Sequence, residues 1–138
     1  MNDIIKDKVF GDMIYKHRWV KNEKEKIELF GKTWDMNVVA SAYTGEQICQ
    51  EQRESYKFFK KRREQLLKKI PELLQEYVKK HVPAEVEQSV CSLIRPKTIL
   101  FDRNGMIVIL CDAAWDEENG IGIELKPKQF IDVQDAFL

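Results

Sequence analysis

The chain has 138 residues, enough for one domain with one real core. Hydrophobic residues at 43% and charged residues at 33% describe a folded, soluble chain and exclude a disordered one. Lys+Arg and Asp+Glu both number 23, and zero net charge argues against a protein whose main business is nucleic acid, because counterion release needs a strong basic excess.

The first third reads as strands. The segment 12–20 (DMIYKHRWV) is short, aromatic and partly alternating, and a polar turn, NEKEK, follows it. Residues 26–31 place Ile27 and Leu29 on one face. Residues 32–43 alternate at Trp34, Met36, Val38, Ala40 and Ala42, as a half-buried strand does. Between these two runs, Phe30-Gly31-Lys32 predicts a tight hairpin.

From Thr44 the period changes. Apolar residues at Leu66, Leu67, Ile70, Leu73, Leu74, Tyr77 and Val78 step by three and four, which predicts an amphipathic helical region over 46–80. Thr44 is the expected N-cap, with Gln47 three residues on as in a capping box. A straight helix of that length would outrun the domain, so Pro71 is expected to kink it near Ile70. The conformation of 84–94 stays open between a short helix and an irregular return.

The last third returns to strands. KTILFD (97–102) meets an Arg-Asn-Gly turn, and 106–115 is a nearly continuous apolar run, the mark of a central strand buried on both faces. DEENG is the next turn, 121–125 another alternating strand, and KPKQFIDV an edge strand where Pro127 is tolerable. The expected fold is α+β: one domain over 1–138, with an antiparallel sheet of about six to seven strands and one long, Pro-kinked helical region packed on one face.

Charge is segregated along the chain. Residues 46–80 carry ten basic against six acidic side chains, and 101–138 carry three against eight. The basic helix face is Lys60, Lys61, Arg62 and Arg63. Pairing inside the molecule with the acidic C-terminal part would also absorb those charges. The acidic stretch holds the candidate partner-binding residues Asp112, Trp115, Asp116, Glu117, Glu118 and Asn119. As chemistry, oxygen ligands at that spacing do not match a calcium loop, and Asn-Gly with flanking acids is a complete turn signal. Asp112 ends an apolar run and is expected to be partly buried. Trp115 is either a core anchor or a docking aromatic.

No zinc-type Cys spacing, phosphate loop or His-containing catalytic motif occurs, so no cofactor or metal is implied. His17 is expected to alternate with Trp19 in a strand and His81 to end the helix. An enzyme built on Asp112 and Asp116, with His17 or Asp135, is the alternative to a binding protein. Three scattered cysteines, an acidic N-terminus without a long apolar run, and no membrane-length apolar stretch point to the cytoplasm.

Two blocks, an early FG…LFGK hairpin and a late FDR.G…CD..WD.ENGI tail, carry a resemblance. The tail here is Phe101-Asp102-Arg103, Gly105, Asp112, Trp115-Asp116, Glu118-Asn119-Gly120-Ile121 and Gln134-Asp135. The chain resembles an uncharacterised family of small bacterial domains of unknown function. It is similar in style to immunity proteins that neutralise toxins. The resemblance brings no established activity with it. The missing catalytic motifs, with a basic helix and an acidic C-terminal part, lead to the expectation of a non-enzymatic protein-binding module whose partner is a protein, such as a toxin domain, with neither membrane nor nucleic acid expected as partner.

Overall fold

A computed structural model describes residues 3–81 and 93–137, the side chain of Asp135 excepted. Nine strands and two α-helices are found among them: β1 (Ile4–Asp7), β2 (Gly11–Tyr15), β3 (Trp19–Lys21), β4 (Glu25–Leu29), β5 (Lys32–Ala40), α1 (Gln50–Lys68), α2 (Ile70–His81), β6 (Ile94–Phe101), β7 (Ile107–Ala113), β8 (Ile121–Lys126) and β9 (Phe130–Val133). A short 3-10 helix, Gln134–Phe137, closes the chain. Strands lie in the order β1-β2-β3-β5-β6-β7-β8-β9, with β4 paired to β5 beside β3.

The class is α+β, with more strands than the six or seven expected. Residues 12–20 are not one strand. They form a hairpin in which Tyr15 pairs with Trp19 and His17 takes a left-handed conformation (φ 67°) at the turn, and β1 adds a further strand. Nor is the sheet wholly antiparallel, since β5 and β6 run parallel, Val39 opposite Leu100. Parallel neighbours need a long crossover, and the helical region supplies it. The 19 residues of α1 carry the chain about 28 Å back along the sheet at ~1.5 Å per residue.

The expected kinked helix is two helices that meet at Lys69. Pro71 is the second residue of α2, in a first turn where its missing N–H leaves no bond unmade. A separate irregularity lies within α1 at Arg62 (φ −114°, ψ 21°). The helix also starts later than expected. Residues 43–46 make a turn, with Glu46 N–H donating to Tyr43 O, and the N-cap is Cys49, whose N–H donates to the Gln52 side chain at 3.0 Å. The Phe30-Gly31 hairpin follows expectation: both residues have positive φ (57° and 74°), as a two-residue primed turn requires. Most of 84–94 lies outside the described residues, with Ile94 beginning β6.

The main core fills the space between one sheet face and the two helices. Phe10 stacks on Tyr56 (centroids 4.5 Å apart), and Phe59 meets Phe101 edge-on at 6.0 Å. Inward positions on β7 are Ile109 and Cys111. The opposite face of β7 carries Val108 and Leu110, which form a smaller cluster with Phe137. That second cluster is why β7 reads as apolar from Ile107 to Cys111.

Candidate functional site

The β7–β8 connection, residues 114–120, is an ordered corner. Ala114 N–H donates to Leu93 O (2.9 Å), tying the loop to the approach of β6. Asp116 N–H donates to Ala113 O (3.1 Å), and Gly120 N–H donates to Asp116 O (2.8 Å). The Asp116 carboxylate accepts from the Asn119 backbone N–H (3.3 Å) and from its side-chain amide (3.1 Å). Trp115 is half-buried and packs against the main core. Gly120 has φ 62°, and a Cβ there would stand 2.5 Å from both Cys111 O and the Gln134 amide nitrogen. That crowding has a cause: Gln134 donates to Cys111 O at 2.7 Å, pinning the C-terminal segment under the loop.

Trp115, Asp116, Asn119 and Gly120 therefore shape the corner, and the remaining acids face outward. Glu117 and Glu118 are exposed and have no ion pair among the described residues. Asp112 is not partly buried as expected. Its side chain is 58% exposed and sits 3.7 Å from the Lys97 ammonium, itself 55% exposed. Strand alternation turns it to the face opposite Cys111, beyond the residues that Phe137 covers. An ion pair so open to water contributes little. Asp112 and Glu117 line a cleft of about 460 Å³ with Arg95.

Of the two residues that the enzyme alternative would add to these carboxylates, His17 or Asp135, the register places His17 elsewhere. Ile94 lies opposite Ala113, whereas Phe101 neighbours Ala40, which in turn pairs with Trp19. His17 thus stands at the other end of the sheet, about 20 Å away along the strands at ~3.3 Å per residue. The Asp135 side chain lies outside what is described. Among the described residues no group of three or more His, Cys, Asp or Glu could hold a metal ion. His81 ends α2, its ring 4.5 Å from Tyr77.

The basic helix face does not meet the acidic corner. Arg63 pairs with Glu25 of β4 and donates to Lys26 O, so its partner comes from the first third of the chain. The Lys60 ammonium lies 5.2 Å from the centre of the Tyr56 ring and Arg62 lies 5.5 Å from that of Phe58, while Lys61 is exposed.

Polar contacts that sequence reading missed hold α1 on the sheet. Burial alone would raise the Glu25 pKa, but the Tyr56 hydroxyl (2.8 Å) and Arg63 outweigh it and keep that carboxyl below its usual range. For Asp7 too, burial works upward and is overcome by Arg53 at 2.8 Å and by the N–H groups of Phe10 and Val9. Burial raises Tyr56, helped by Glu25, and burial raises the Cys111 thiol, helped by Asp112. The Gln52 amide donates to Ser41 O and Phe101 O, bridging the parallel pair at its carboxyl ends. Apart from the turn that Asp7 closes with Val9 and Phe10, no local pattern announces these contacts, because each joins separate segments of the chain.

No helix among the described residues is long and apolar enough to cross a membrane. In comparisons with known proteins, the model of one family, a domain of unknown function (DUF6985), matches residues 9–136. No curated protein matches. No solved structure matches either.

Proposed function

The chain belongs to the DUF6985 family, and from that premise we propose that it is a non-enzymatic protein-binding module, a bacterial cytoplasmic immunity protein that neutralises a toxin domain. The observation that carries this reading is the acidic corner. Asp116, Asn119 and the half-buried Trp115 hold the loop in shape, while Glu117 and Glu118 on it and Asp112 at the end of β7 are presented to solvent. A toxin that acts on nucleic acid carries a basic surface, and a preorganised acidic rim speeds its encounter and sets its register. Preorganisation also lowers the ordering cost of binding. The exposed remainder of Trp115 gives the contact an aromatic edge.

The test is a calorimetric titration of the purified protein against the toxin domain encoded beside its gene. A complex is expected, and Glu117→Lys combined with Glu118→Lys weakens it by about tenfold, with a reduced salt dependence. Absence of a complex at micromolar concentration removes the immunity reading. An unaffected charge-reversed variant moves the contact away from this loop.

A further inference from the structure

The acidic corner leaves the basic side of the molecule without a role. Two adjoining concavities lie there. One, of about 1010 Å³, runs between the β4–β5 hairpin and the junction of the helices, with Leu29, Phe30, Leu67 and Pro71 among its lining. Its rim carries Lys26, Lys32 and Lys68 against Glu28 and Glu64. The second, of about 550 Å³, follows the irregular turn of α1 over residues 60–65 and shares Arg63 and Glu64 with the first. It adds Lys60, Lys61 and Arg62.

Arg63 is answered by Glu25. The other six cations have no carboxylate within ion-pair distance among the described residues. In a chain of zero net charge, six unanswered cations against two acids on one concave surface are a strong local bias. Aromatic faces position three of them: Lys32 lies 5.9 Å from the Trp34 ring centre, beside the Tyr56 and Phe58 contacts of Lys60 and Arg62. The rim is therefore partly preorganised.

We infer that this apolar-floored, lysine-rimmed groove is a docking surface for an acidic protein segment that carries apolar side chains. Carboxylates meet the six cations, and apolar side chains lie along Leu29, Phe30, Leu67 and Pro71. A protein segment fits better than a nucleic-acid strand for two reasons. An unbroken phosphodiester line would run against Glu28 and Glu64, and the apolar floor offers nothing to phosphates. This surface is separate from the acidic corner and does not depend on the toxin-binding reading.

The experiment uses the full chain and three fluorescein-labelled probes of equal length: a peptide of Glu, Asp, Leu and Phe; a peptide of the same charge with Ser in place of Leu and Phe; and single-stranded DNA. Binding is read by anisotropy at low and physiological salt, with the intrinsic tryptophan fluorescence, to which Trp34 contributes, as a second readout. The Leu/Phe peptide is expected to bind about tenfold tighter than the Ser peptide and tighter than DNA, and to shift the tryptophan emission. Lys32→Glu with Lys68→Glu is expected to weaken it by about tenfold at unchanged melting temperature, while Lys97→Glu, on the other sheet face, leaves it intact. Equal binding of the Ser peptide or DNA overturns the proposal in favour of unspecific charge attraction. No binding of the Leu/Phe peptide, or equal losses in the Lys97 variant, also overturns it.

Discussion

Gly122→Ala tests how the C-terminal segment is fixed to the sheet. Gly122 lies in β8 with ordinary extended backbone, so alanine there should by itself gain about 0.5–1 kcal/mol by restricting the unfolded chain. Space reverses the sign. The new methyl would sit 2.3 Å from Phe137 Cδ2, 2.6 Å from its Cε2 and 3.3 Å from Val108 Cγ1. The ring has to leave, uncovering Val108 and Leu110, and losing a buried phenylalanine costs about 1.5–3 kcal/mol. The net loss is about 0.5–2.5 kcal/mol, the difference of these two effects. Urea denaturation followed by tryptophan fluorescence reads it, and a double-mutant cycle with Phe137→Ala isolates the cause. With the ring already gone, Gly122→Ala should become neutral or mildly stabilising. Equal losses in both backgrounds would refute the reasoning, because something other than Phe137 would then occupy the space.

Two further outcomes follow from the buried groups. Asp7 and Glu25 both titrate below their ordinary values of 3.8 and 4.5 in the folded chain. Their contribution is present above the unfolded values and is lost as pH falls through the folded ones. Urea midpoints should therefore drop on acidification below roughly pH 4.5, less steeply in Glu25→Gln or Asp7→Asn, and a midpoint that rises with acid contradicts the assigned pairings. Cys111 is fully buried with a raised thiol pKa, while Cys49 is partly exposed. In a Cys91→Ser background, a thiol reagent should label Cys49 in the native protein and reach Cys111 only after unfolding, and early labelling of Cys111 would show β7 to be open.

Much of the candidate corner could be read in advance. Asn119-Gly120 signalled the turn because positive φ is a local demand, and the acids beside it were bound to be solvated. What Trp115 and Asp112 do could not be read. The tryptophan's packing depends on which elements lie beneath the loop. The aspartate's exposure depends on where Phe137, 25 residues away in the chain, stops covering the sheet. Pattern misled at residues 12–20, where aromatic and apolar residues disguised a hairpin whose turn lacks Gly and is made by His17. At Thr44 a plausible capping box lost to one formed by Cys49 and Gln52, because Gln52 also bridges Ser41 and Phe101 across the sheet.

The α+β class, the Phe30-Gly31 hairpin, the helical middle and the doubly buried stretch of β7 are legible in the order of residues. Each of these follows from short-range periodicity or backbone sterics, which act between residues a few positions apart. The parallel run of β5 and β6, the pairing of Arg63 with Glu25 and the separation of the basic groove from the acidic corner emerge with the folded chain. Those features are settled by contacts between distant segments, where burial and charge act through space and leave no local trace in the order of residues.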